Sequence, residues 1–169
     1  MRVLFTLLIS PLFLFSIHAQ KCSYISNTVS GMDGSRQIIT EPITIKEEGD
    51  PGKLIVWSKL HLDTSIVVAF TIENYGGADL NDLDRIMMNL KDGSELTLAL
   101  MNKISLRKQE NTKYTLYAVL DDNELSILTQ TNVSSLYLVS EEKTVNFLPD
   151  RKGTGAVKKV VSCVEKARK

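Results

Sequence analysis

The chain has 169 residues, 24% of them charged, and its 20 Lys+Arg balance its 20 Asp+Glu. That balance excludes a strongly basic nucleic-acid binder and an acidic disordered tail. Beyond the N-terminus no apolar run approaches the roughly 18 residues of a membrane-spanning helix, so no membrane span is expected.

Residues 1–19 (MRVLFTLLISPLFLFSIHA) carry Arg2, then an apolar run from Val3 to Phe15, and close on the small residue Ala19. This is the layout of a secretory signal peptide, with a run too short to cross a bilayer comfortably. Ile17, three residues before the cut, is larger than the usual alanine there. The organisation expected is a signal peptide over 1–19 and a single domain over 20–169, periplasmic or secreted. Lipoprotein processing at Cys22 would need a small residue before the cysteine; Lys21 stands there, and no lipid anchor is expected. Cys22 and Cys163 are the only two cysteines. An even count in an exported protein points to a disulfide, and two cysteines allow one pairing. The alternative, a redox pair or a cysteine nucleophile, finds no close spacing and no activating surroundings beyond scattered lysines.

Short β-type runs follow. Gln37–Lys46 alternates, but Pro42 makes it an edge or a bent strand. Leu54–Leu62 and Ser65–Glu73 form the strongest pair, joined by a tight Asp63-Thr64 connection. Glu47–Lys53 and Asn74–Asn81 are loops by their Gly, Pro, Asn and Asp content. Arg85–Lys91 and Ser94–Met101 flank Asp92-Gly93 and read as a β-hairpin with a two-residue primed turn. Ile86, Met88, Leu90, Leu96, Leu98 and Leu100 would share its buried face, opposite Asn89, Lys91, Glu95 and Thr97. Tyr114–Leu120, Val133–Val139 and Thr144–Leu148 are further strands.

Two helices interrupt the strands. Asp121–Gln130 opens with Asp121 three residues before Glu124, an N-terminal cap. Near the C-terminus, Val157, Val160, Val161 and Val164 recur at helical spacing beside Cys163. The fold class expected is α+β: mostly antiparallel sheet of about seven or eight strands, sandwich or half-barrel-like, with helices near 121–130 and 155–167.

Few residues could carry chemistry. His18 lies in the signal segment, so any Ser-His-Asp or Cys-His arrangement would have to be built on His61, which reads as a solvated strand histidine. One histidine and two bonded cysteines cannot close a usual zinc site, and no cofactor motif is present. Asp79, Asn81, Asp82 and Asp84 gather oxygen ligands after Gly76-Gly77 and are the calcium candidate. They fail the EF-hand template, which leaves a polar loop as the alternative. Asp121–Glu124 is a similar acidic group, read as the helix cap. Trp57, the lone tryptophan, invites a sugar-stacking role. A two-residue Asp63-Thr64 turn, however, places it opposite Phe70 on an apolar face, so it is expected in the core. Tyr75, with Gly76 and Gly77, is then the candidate exposed contact loop. Asn132-Val133-Ser134 fits the N-glycosylation pattern, and the basic C-terminal residues read as the wet face of the last helix.

The signal peptide, the cysteine just after it, the strand-Asp-Gly-strand hairpin, the short helix followed by a strand, and the cysteine-bearing closing helix together resemble small exported β-rich proteins of Gram-negative bacteria with no assigned activity. The resemblance implies location, fold and a Cys22–Cys163 pairing, and it transfers no functional residue. The function expected is non-enzymatic: an exported binding or envelope-accessory domain for a macromolecule or glycan in the envelope or outside the cell. Its contacts would come from loops Glu47–Lys53 and Asn74–Asn81, or from edge strand Gln37–Lys46. The alternatives are a glycan-directed hydrolase using paired carboxylates, and a structural envelope subunit.

Overall fold

The computed structural model describes residues 21–29, 31, 34–47, 52–61, 64–73, 84–108, 111–141 and 143–169, with the backbone alone over 102–108 and 111–112. Residues 1–19, expected to be a signal peptide, lie outside them. In chain order the strands are β1 (Tyr24–Val29), β2 (Arg36–Thr40), β3 (Ile43–Lys46), β4 (Lys53–His61), β5 (Ser65–Glu73), β6 (Arg85–Leu90), β7 (Glu95–Ala99), β8 (Asn102–Lys108) and β9 (Asn111–Leu120). Helix α1 (Asp122–Gln130), β10 (Val133–Val139), β11 (Thr144–Phe147) and α2 (Ala156–Arg168) complete the chain.

The strands make two antiparallel sheets. One has seven strands in the order β1-β2-β4-β5-β9-β8, with β3 pairing β4 beside this path; the other has four, in the order β11-β10-β6-β7. Helix α2 lies against β2, β3, β4 and β5, α1 packs on α2, and β7 approaches β9. A single hydrophobic core draws on both sheets and both helices. The result is a sandwich-like α+β domain rather than a closed barrel. There are eleven strands among the described residues, against the seven or eight expected. The polar β1 carries no clear alternation, β8 is cut by lysine and arginine, and Pro42 divides one expected strand in two. Both parts, β2 and β3, pair with β4, and β1 covers the far side of β2. The expected edge strand is therefore half interior.

Turns set the registers. The β6–β7 loop has three residues, not two: Gly93 N–H donates to the Leu90 carbonyl (3.1 Å) and Leu90 N–H to the Ser94 carbonyl (2.9 Å). Gly93 adopts φ 89°, the left-handed position that closes such a loop. Only an odd-numbered loop opposes Met88 to Leu96 and Ile86 to Leu98, all buried. The β4–β5 connection is likewise one residue longer than expected, with His61 opposite Ser65 and Trp57 opposite Ala69.

That shift moves Trp57 out of the core. The buried face of β4 is Leu54, Val56, Ser58 and Leu60. Trp57 shares the other, partly exposed face with Lys53, Ile55 and Lys59. Ser58 is satisfied inside: its hydroxyl donates to the Val67 carbonyl (3.0 Å), and its N–H to the Thr40 hydroxyl (3.0 Å).

The helices are placed by caps and anchors. Asp121 accepts from Glu124 N–H (2.7 Å), and Glu124 accepts from Asp121 N–H (2.8 Å), the reciprocal box expected from their spacing. The valine stripe of α2 is buried throughout. Lys158 donates to the Gln130 carbonyl at the end of α1 (2.7 Å), and Arg168 to the Thr64 carbonyl (3.0 Å). Part of the basic tail therefore ties elements together rather than only facing water. Cys22 and Cys163 are bonded, with Cα atoms 5.6 Å apart across a sequence separation of 141. Beside them the Tyr24 hydroxyl donates to the Cys163 carbonyl (3.0 Å). No helix among the described residues is long and apolar enough to cross a membrane.

Candidate functional site

Helices and the second sheet cover one face of the seven-stranded sheet. The side chains of the opposite face run in rows across β4, β5 and β9. The middle row is Trp57, Ala69 and Tyr117, fixed by the Trp57–Ala69 and Ala69–Tyr117 pairings. Ala69 has only a methyl group, so the two aromatic rings close over it. Their centroids lie 5.8 Å apart at an interplanar angle of 85°, edge to face. Ala69 is fully covered, while Trp57 and Tyr117 keep part of their surface exposed. Such pairs favour the edge-to-face arrangement, which fixes the orientation of both rings.

The neighbouring rows differ in chemistry. Toward one end, Ile55, Thr71 and Thr115 follow, with the two threonine hydroxyls 3.2 Å apart. Beyond them Lys53 reaches Glu47 (2.7 Å) and Lys113 reaches Glu73 (3.0 Å). Toward the other end come Lys59, Val67 and Val119, then His61 and Ser65. The Lys59 ammonium sits 5.7 Å from the Tyr117 ring centroid, within cation–π range. Among the described residues no carboxylate forms an ion pair with it. Among the described residues the face thus offers an aromatic pair, the partly exposed Thr115 hydroxyl and the Lys59 ammonium.

A second feature lies by the disulfide. A cleft of about 60 Å³ opens between Glu41, Pro42 and Ile43 on one side and Lys159 and Cys163 of α2 on the other. It has room for a few waters. Its one carboxylate is Glu41, so it does not supply the pair that glycoside hydrolysis uses.

The residues singled out from sequence fare differently. Cys22 and Cys163 come together. His61 ends β4, exposed, opposite Ser65. Asp84 lies 3.7 Å from the Arg85 guanidinium, and its N–H donates to the Val139 carbonyl (3.1 Å). Tyr75, Gly76, Gly77, Asp79, Asn81 and Asp82 lie outside the described residues, as does most of the Glu47–Lys53 loop. Among the described residues no group of three or more His, Cys, Asp or Glu could hold a metal ion. The sequence pattern does not single out Tyr117 or Lys59, and it places Trp57 in the core, whereas the structure puts it on the partly exposed face of β4. Lys53 and Lys59 held the signal, because both share strand parity with Trp57 and mark the wet face of β4.

Comparison of the chain with family models, curated proteins and solved structures finds no match.

Proposed function

We propose that this protein is an exported carbohydrate-binding domain whose contact surface is the outward face of the seven-stranded sheet. The observation that carries the reading is the Trp57–Tyr117 pair, partly exposed on strands β4 and β9 and closed over Ala69. A pyranose ring presents an apolar C–H face to an aromatic ring and hydroxyls around its rim. The adjoining Thr115 hydroxyl, partly exposed and backed by the buried Thr71, suits that rim. A platform on strands holds its geometry better than one on loops, which lowers the ordering cost of binding.

Export is supported by the signal-peptide layout of residues 1–19 and by the Cys22–Cys163 disulfide, a bond that persists in oxidising compartments. The non-enzymatic reading is supported by the chemistry that the described residues of the face offer, which is stacking and hydrogen bonding.

A glycan array probed with the disulfide-bonded 20–169 chain tests the proposal, with isothermal titration on any hit. Trp57→Ala and Tyr117→Ala should each weaken binding by about tenfold or more, as loss of an aromatic anchor does, while Trp57→Phe should retain part of it. Binding that both alanine variants leave unchanged would place the contact elsewhere.

A further inference from the structure

We infer that the glycan recognised is acidic, and that Lys59 reads a carboxylate on the sugar stacked against Trp57. This rests on the platform reading above and adds the ligand's charge to it.

Lys53 and Lys113 are each held by a carboxylate, Glu47 and Glu73 respectively. Both pairs lie at the end of the face beyond the threonine row. Lys59 lies on the other side of the aromatic row, its ammonium over Tyr117 and with no acidic partner among the described residues. Among the described residues of this face, the charge beside the aromatic row that no carboxylate answers is the Lys59 ammonium.

Spacing places this charge usefully. Trp57 and Lys59 are two residues apart on one strand face, about 6.5–7 Å. A pyranose ring is narrower than that. A hexuronate carries its carboxylate outward from the ring, so a ring stacked on Trp57 can direct it toward the neighbouring Lys59 position on the same strand face, within reach of that long side chain. Such a contact is a charge-assisted hydrogen bond, stronger than one to a neutral hydroxyl. The Tyr117 ring holds the ammonium in place before any ligand arrives, which reduces the side-chain freedom that binding must remove. A neutral sugar would leave that cation uncompensated beside it, so selectivity comes from the difference between the two ligands.

The test uses paired probes: oligogalacturonates with their methyl esters, and alginate oligosaccharides with their carboxyl-reduced forms. Binding to the disulfide-bonded 20–169 chain is measured by isothermal titration. The inference expects each acid to bind about tenfold or more tightly than its neutral counterpart. Lys59→Gln should bring that ratio close to one, and Lys59→Arg should keep the preference. Thermal melts show whether each variant is folded. Equal wild-type binding of acid and neutral partner overturns the acidic inference and leaves the platform standing. A preference that survives Lys59→Gln overturns the role of Lys59. Binding of none of the probes, or a chain that Trp57-dependent self-association turns into a dimer, overturns the platform reading and this inference with it.

Discussion

At the scale of single residues, hydrogen bonds decide the behaviour of groups that are not buried. Asp92, in the β6–β7 loop, accepts from the Ser94 hydroxyl (2.6 Å) and the Ser94 N–H (2.9 Å). These bonds, the hydroxyl's first, hold its carboxyl below the usual aspartate range. A carboxylate whose folded pKa is depressed supports the fold above the unfolded-state pKa and loses that support as pH falls through the folded one. The Asp92 carboxyl carbon, followed by NMR, should therefore titrate below an ordinary aspartate, and Ser94→Ala should move its midpoint upward. An unshifted midpoint in the wild type would contradict the loop geometry. Glu124 goes the other way: burial raises its pKa despite the Asp121 N–H it accepts, so its contribution to stability falls as pH rises through the folded value.

Elements are placed by close approaches that a propensity scale does not contain. The short helical turn Gly153–Gly155, which leads into α2, sits directly on β3. Asp150 N–H donates to the Ile45 carbonyl (2.9 Å), and the Asp150 carboxylate accepts from Glu47 N–H (2.9 Å). A Cβ at Gly153 would overlap the Ile45 carbonyl. Gly153→Ala should therefore destabilise the protein by about 2–3 kcal/mol, as overpacking a fixed backbone does, read as a lower urea midpoint at unchanged slope. An unchanged midpoint would mean that α2 does not dock this way. The two helices were legible because their signals are local: Asp121 and Glu124 three apart, and valines at helical spacing. The hairpins were legible as hairpins but not in register. Asp92-Gly93 resembles a two-residue turn so closely that it hid what the alternation of Met88 and Leu96 required. In the β4–β5 pair, β5 is buried on both faces and cannot choose a register; the lysines of β4 do. The outward site inherited that ambiguity, since a one-residue slip carries Trp57 from one side of the sheet to the other.

Across the whole molecule, one bond joins the two ends of the described domain. The disulfide connects the segment before β1 to α2, closing a loop that contains both sheets. The chain-entropy model gives an upper value of about 5 kcal/mol for a loop of this length. Replacing Cys22 and Cys163 by serine should lower the melting temperature by roughly 10 °C, taking about 3 kcal/mol and the usual entropy of unfolding at this size. The buried core is common to both sheets and both helices, so the reduced protein should still fold. The bond lies against the covered face, whereas the proposed ligand face is on the opposite side of the sheet. Glycan binding should accordingly survive its removal below the melting range.

Trp57 is the only tryptophan, so it reports its own exposure and any ligand that covers it. Acrylamide quenching of tryptophan fluorescence in the folded 20–169 chain, without and with oligogalacturonate, tests this most directly. Acrylamide should reach this tryptophan in the free protein, and the saccharide should shield it and shift its emission to shorter wavelength. A tryptophan that acrylamide cannot reach in the free protein would return Trp57 to the core. Accessible but unaffected by any saccharide, it would leave the face open and the proposed ligand wrong.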